Sequence, residues 1–139
     1  MRISVVIPVF NGEKHIENCL KSVQSQTFGD FECLCVDNGS TDKTVQIVSD
    51  FAAQDSRFKL VFSEHKGKQA GARNTGLEQA QGDLITYVDA DDFIHPRMLE
   101  ILLSVMERKN ADAVGCAFKK EHRPYSGVFD ALKPFKTTV

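Results

Sequence analysis

The apolar residues of this chain switch between two spacings, and that switching limits its possible folds more than any other feature. Ile3-Ser4-Val5-Val6-Ile7-Pro8-Val9-Phe10 is a short, nearly unbroken run rich in β-branched side chains. Such a run fits a strand buried on both faces of a parallel sheet. Asn11-Gly12 stops it, and Ile16, Leu20 and Val23 then recur at i, i+4 and i+7, which predicts an amphipathic helix ending near Gln26. The alternation repeats. Phe31 to Val36 predicts a second strand, broken by Asp37-Asn38-Gly39-Ser40. Val45, Ile47, Val48 and Phe51 give a second helix its apolar side, with Ser40 or Thr41 as its N-cap. Phe58 to Phe62 predicts a third strand and Ala70 to Ala80 a third helix, which Gly82 should end in a left-handed conformation. Leu84 to Val88 predicts a fourth strand. Pro96 suits the first turn of a helix continued by Met98, Leu99, Ile101, Leu102 and Val105, and Ala111 to Phe118 predicts a fifth strand.

Strands alternating with helices imply βαβ units, an α/β class and a mainly parallel sheet flanked by helices. Crossovers in such a sheet are right-handed, so ligands collect beyond the carboxyl ends of the strands. A length of 139 residues is close to one domain. From Lys120 onward Pro124, Gly127 and Pro134 interrupt the chain, and this stretch reads as the start of a further portion. Seventeen basic against 19 acidic residues give a net charge of −2, with no basic excess to grip nucleic acid or an anionic membrane. No apolar run approaches the roughly 18 residues of a membrane span, and the start lacks a signal-peptide pattern. Cys19, Cys33, Cys35 and Cys116 have neither CxxC spacing nor disulfide density. They read as reduced, buried thiols of a cytoplasmic chain.

The polar residues carry the functional signal through their position. Asn11 follows the first predicted strand, Asp37 and Asn38 the second, and Asp89 and Asp91 the fourth. In a parallel sheet these places share one edge, so several acceptors converge on one crevice. Turn chemistry explains each loop taken alone; it does not explain their joint placement. Asp89-Ala90-Asp91-Asp92 is the strongest local feature. Its carboxylates repel one another, and a divalent cation with hard oxygen ligands, magnesium or manganese, relieves that repulsion. Such ions take one or two carboxylates plus substrate phosphates, so the turn would imply a phosphorylated ligand. An acidic first turn favoured by the helix dipole explains the same spacing equally well. Asp37 to Asp42 resembles half of a calcium loop, but Gln46 and Ile47 stand near where its glutamate belongs. Lys66, Lys68 and Arg73 cluster around Gly67 and Gly71, where cations at a helix start can meet a diphosphate and where solvated side chains are also ordinary. His15, His65, His95 and His122 have no metal-ligand spacing and read as surface histidines.

Taken in order, the segments resemble the family-2 glycosyltransferases, which adopt the Rossmann-like GT-A fold of nucleotide-diphospho-sugar transferases. The matching text is Ser4 to Asn11, Gln24-Ser25-Gln26-Thr27, Val36 to Asp42, Gly67, Ala72-Arg73-Asn74-Thr75-Gly76, Gly82 to Val88, and Asp89-Ala90-Asp91-Asp92. The resemblance covers residues 3 to about 118. It implies a donor-binding core over 1–119, with the acceptor-side portion beginning at 120–139 and incomplete, a C-terminally truncated GT-A domain. It implies a nucleotide-diphosphate sugar donor, most often a UDP-sugar, a saccharide or lipid-linked acceptor, and work in cell-wall or exopolysaccharide synthesis at the inner face of the membrane. Pro8, Val9, Phe10 and Asn11, with Glu13, would line the nucleoside pocket. Asp37 and Asn38 would read the base; the family's usual second aspartate is Asn38 here, whose amide both accepts and donates. Lys68 would approach the base or diphosphate, and Arg73 and Asn74 would open the supporting helix. Asp91 would hold Mn2+ or Mg2+, with Asp89 on the ribose or a metal-bound water and Ala90 between them. The family inverts stereochemistry with a later carboxylate base. Asp112, Glu121 and Asp130 are the late acids, none in that base motif, so the base is expected outside this chain.

Three rival classes stay in view. Phosphatases of the haloacid dehalogenase type carry an Asp-x-Asp turn, but after their first strand, where this chain has Pro8-Val9-Phe10-Asn11. Dinucleotide redox enzymes need a GxGxxG there, which is missing. A non-catalytic nucleotide-binding or scaffold module is the remaining alternative.

Overall fold

In a computed structural model, residues 1–64, 69–118 and 120 are described. Strands β1 (Ile3–Val9), β2 (Phe31–Asp37), β3 (Phe58–Phe62) and β4 (Leu84–Tyr87) alternate with helices α1 (Ile16–Gln24), α2 (Thr44–Gln54), α3 (Gln69–Gln79) and α4 (Met98–Lys109). The strands form one sheet in the order β3-β2-β1-β4, with every pairing parallel. All seven residues of β1 and all seven of β2 are buried, as their unbroken apolar runs require. β4 is an edge strand among the described residues, with Ile85 and Tyr87 exposed.

Alternate side chains of the central strands serve two layers. Ile3, Val5, Ile7 and Val9, with Phe31, Cys33 and Cys35, pack with Ile16, Leu20 and Val23 of α1, Val48 of α2, and Leu99 of α4. Val6, Leu34 and Val36 face Ala72 of α3 on the other side. α3 has no apolar stripe, and its Leu77 is exposed. It docks through small residues instead. A Cβ on Gly76 would collide with Cγ1 of Val6 and lie 3.3 Å from Cγ2 of Val36, so the helix backbone rests directly on the sheet.

Several expectations are corrected. Ala111 to Phe118 forms no strand; residues 112–114 share a groove with Leu84 to Thr86 of β4 but make no ladder with that edge strand. Gly82 does not terminate α3 with a left-handed dihedral. A Cβ there would stand 2.7 Å from the Ser4 nitrogen and 2.8 Å from the Arg2 carbonyl oxygen, so glycine is needed for backbone approach to β1. α2 begins after Lys43 rather than at Ser40 or Thr41, because the Ser40 hydroxyl accepts the Asn11 N–H at 2.9 Å. Pro96 precedes α4, and its carbonyl accepts the Thr27 N–H at 2.8 Å. Cys19, Cys33 and Cys35 are buried thiols, whereas Cys116 is exposed. No helix among the described residues is long and apolar enough to cross a membrane.

One buried carboxylate fastens the end of the sheet opposite the cleft. Glu32 of β2 accepts the Ser4 hydroxyl at 2.8 Å, the Gln81 N–H at 2.6 Å and the Lys59 ammonium at 2.9 Å. The Ser4 hydroxyl oxygen in turn accepts the Gly82 N–H at 2.9 Å, tying the α3–β4 turn to β1 and β2. Burial pushes the Glu32 carboxyl up, but the Lys59, Gln81 and Ser4 bonds outweigh it and hold it below its ordinary 4.5. A carboxyl depressed on folding stabilises above its unfolded value and loses that contribution as pH falls through its folded value. Glu32→Gln should therefore cost about 1–3 kcal/mol at neutral pH by urea denaturation, and the difference from wild type should shrink as pH drops below 4.5.

Candidate functional site

The sheet order places a chain reversal between β1 and β4. α1 carries the chain from β1 to β2, while α3 leads into β4 on the opposite face, so the loops after β1 and β4 part and leave a crevice at the carboxyl ends. A cleft of about 490 Å³ lies there. Its walls are Pro8 to Gly12 at the end of β1 and just beyond, Asn38 after β2, and Asp89-Ala90-Asp91 after β4. Val88 N–H bonds the Val6 carbonyl at 3.1 Å, extending β4's alignment and bringing Asp89 to the level of the β1 end.

The β1 and β2 loops clasp each other. Asn11 takes a left-handed conformation, φ 48°, and its Oδ1 accepts the Thr41 N–H at 2.8 Å. The Gly12 N–H donates to the Thr44 hydroxyl at 2.8 Å. Two carboxylates then bond reciprocally: Asp42 Oδ2 accepts the Glu13 N–H, and Glu13 Oε2 accepts the Lys43 N–H, each at 3.1 Å. Asp42 Oδ1 also accepts the N–H and hydroxyl of Thr44. Burial pushes the Asp42 carboxyl up, but the Thr44 and Glu13 donors overcome it and leave it low. Asp37 closes its own turn by accepting the Gly39 N–H at 3.0 Å and the Ser40 N–H at 3.1 Å. Gly39 sits at φ 93°, where a side chain would be strained. That turn aims Asn38 at the cleft, its N–H held by the Val9 carbonyl at 2.9 Å.

Eight of the residues singled out from sequence line the cleft together: Pro8, Val9, Phe10, Asn11, Asn38, Asp89, Ala90 and Asp91. Glu13 and Asp37 do not line it; their carboxylates hold the loops that shape it. Arg73 reaches in from α3, its Nη2 2.7 Å from Asp89 Oδ1. Lys68, like Lys66, Glu121 and Asp130, lies outside the described residues. Asp112 lines a separate groove between β4 and α4. Sequence reasoning missed Gly12, His15 and Ala72 as lining residues. His15 stands four positions past Asn11 at the head of α1, a spacing that could have marked it. A Cβ at Gly12 would lie 2.7 Å from Val9 Cγ2 and 3.9 Å from Ala90 Cβ. Glycine thus keeps the two rims close.

The acidic rim is electrostatically strained. Burial, then the neighbouring charges of Asp91 and Asp89, hold the Asp92 carboxyl above its ordinary value. Asp89 is engaged by Arg73, whereas no described residue donates a hydrogen bond to Asp91. No group of three or more His, Cys, Asp or Glu side chains converges as a metal cage among the described residues. The acidic oxygens that the cleft does present are those of Asp89 and Asp91, hard donors of the kind that magnesium and manganese take alongside water and ligand oxygens.

With that geometry in place, similarity decides the family. The family model described as Glycosyl transferase family 2 matches residues 4–126. The chain belongs to that family. It is 39% identical over 112 residues to the glycosyltransferase GlyG of Streptococcus pneumoniae, covering 81% of this chain and 37% of GlyG. A crystal structure of S. aureus TarS 1-349 in complex with UDP superposes with a TM-score of 0.73 at 34% identity, over 79% of this chain and 33% of that one. The mannosyltransferase PcManGT from Pyrobaculum calidifontis, in complex with GDP-Man and Mn2+, gives a TM-score of 0.62 at 30% identity, over 66% of this chain and 28% of its own. The chain thus spans roughly a third of these relatives, within a family fold that matches the observed sheet and helices.

The clasp generates a stability prediction. Asp42→Ala removes acceptors for the first turn of α2 and for the β1 loop, and should cost about 0.5–2 kcal/mol by urea denaturation at neutral pH.

Proposed function

We propose that this chain supplies the donor-binding part of a glycosyltransferase that takes a nucleotide-diphosphate sugar, a UDP-sugar above all, and transfers the sugar to a hydroxyl acceptor with inversion. The observation that carries this reading is the joint lining of one switch-point cleft by the β1 loop, Asn38 and the Asp89–Asp91 turn. Phe10, 57% exposed at the mouth, offers a ring face to a base. Asn38 offers an amide that can accept from the uracil ring N–H and donate to a ring carbonyl. Asp91 would hold a divalent ion, and Asp89 would meet the ribose or a water on that ion. Lys68 completes the reading as a cation toward the diphosphate, and its position after β3 in sequence is consistent with that.

The chemical demand is charge on the departing nucleoside diphosphate. A bound Mn2+ or Mg2+ neutralises that charge, an effect worth several kcal/mol. The chain's own part is to orient: the clasped loops fix the nucleoside, and the acidic turn fixes the diphosphate end relative to it. The acceptor, saccharide or lipid-linked, must be deprotonated by a carboxylate on the far side of the sugar. Asp89 and Asp91 are the carboxylates lining the cleft among the described residues, and both stand on the leaving-group side of this arrangement. An inner-membrane-face location belongs to the same proposal and rests on the family likeness alone.

Calorimetric titration of the chain with UDP, with and without Mn2+, tests the reading. Mn2+ should tighten UDP at least about tenfold, some 1.4 kcal/mol, and Asp91→Ala should abolish that gain. Equal UDP affinity with and without Mn2+, or a gain that survives Asp91→Ala, would overturn it. GDP and ADP run in parallel should bind more weakly than UDP if Asn38 reads the base.

A further inference from the structure

The acidic turn and the donor cleft leave one cation unexplained by any ligand role. Arg73 projects from the second turn of α3 and its guanidinium meets Asp89 at 2.7 Å, both side chains being part-exposed, 38% and 51%. This contact joins α3 on one face of the sheet to the loop after β4, across the chain reversal that makes the cleft. The bonded oxygen is Oδ1 of Asp89. Two residues on, Asp91 receives no hydrogen bond from any described residue, although both carboxylates line the same cleft. Two like groups on one turn are thereby put in different states, one paired and one open.

We infer that Arg73 is a positioning residue that assigns different jobs to Asp89 and Asp91. It acts as a built-in counter-ion that keeps Asp89 turned toward α3 and out of the cation's coordination, leaving Asp91 as the unpaired carboxylate of the cleft lining. The inference rests on the proposed donor site and deepens it. Its physical content is a competition. A turn bearing Asp89, Asp91 and Asp92 would bind a divalent ion directly if its carboxylates were unpaired. With one of them held by a fixed guanidinium, the turn binds the ion poorly until a diphosphate adds its own oxygens. The ion and the diphosphate then favour each other's binding, and the hold on Asp89 is one charge-assisted hydrogen bond from Nη2 to Oδ1. Because the pair is part-exposed, its strength is that of a surface ion pair, and the effect on affinity is moderate.

The test uses Mn2+ alone, followed by electron paramagnetic resonance of the free ion, on wild type, Arg73→Gln, Asp89→Asn and the double variant, with circular dichroism to confirm folding. Arg73→Gln should tighten Mn2+ binding without nucleotide by roughly fivefold, the scale of one exposed ion pair. That gain should vanish in the Asp89→Asn background, where the released side chain carries no charge. Arg73→Lys, which keeps the cation, should stay near wild type. In a second arm with UDP added, Arg73→Gln should show a smaller Mn2+-dependent gain in UDP affinity than wild type. Unchanged or weaker Mn2+ binding in Arg73→Gln overturns the inference. So does an equal gain with and without Asp89, which would reduce Arg73 to a distant charge. Failure of wild type to couple UDP to Mn2+ sinks the donor-site reading instead, while the nucleotide-free arm still decides the role of Arg73.

Discussion

β1 is bonded along both edges, to β2 from Ile3 through Val9 and to β4 from Ile3 through Val6, and the rest of the molecule is arranged around that ladder. All seven of its residues are buried, so it needs helices on both faces and β-branched side chains to fill them. Its central place also decides where the chain turns back. β2 and β3 are added on one side and β4 on the other, which separates the loops at the carboxyl end of β1 from those of β4. The cleft is the gap that this separation leaves.

Polar groups then stiffen each end of the sheet by different means. At the end away from the cleft, Glu32 is wholly buried and its oxygens are met by Ser4, Gln81 and Lys59, so its desolvation is offset by charge-assisted bonds. At the cleft end the carboxylates serve loops: Asp37, itself buried, and Asp42 and Glu13, which reach solvent, accept backbone N–H groups. The residues that touch a ligand in this reading are held by others that do not. Asn38 is aimed by Asp37, and the Asn11 loop by Thr41 and Asp42. Asp89 is the exception, engaged by a cation from another layer. Its neighbour Asp91 accepts no hydrogen bond from any described residue.

How much could be read before folding differs by residue. β1 and β2 were legible because double-sided burial demands unbroken apolar runs, and Ile16, Leu20 and Val23 declared α1 by spacing. α3 was legible as a helix, but not in how it packs: Ala72 and Gly76 give no apolar stripe, and only the Val6 contact shows why they are small. Gly82 misled for the same reason, since close approach and left-handed turns both select glycine. Ala111 to Phe118 misled because strand propensity states what a segment can do, whereas a strand also needs its N–H and C=O groups aligned with a partner's, which this segment does not achieve against β4. Glu13 and Asp37 were legible as loop carboxylates and not as loop braces, because the N–H groups they bind at Lys43, Gly39 and Ser40 are met only in the folded loops.

The amino-acid order by itself determined the βαβ class and the gathering of Asn11, Asn38, Asp89 and Asp91 at the carboxyl ends of parallel strands, because hydrophobic period and turn chemistry are local properties. Which strands became neighbours was decided only by the assembled sheet. So was the distinction between Asp89 and Asp91, two identical side chains on one turn. They differ because α3, packed on the opposite face through Gly76, brings the Arg73 guanidinium within 2.7 Å of one, while both line the cleft.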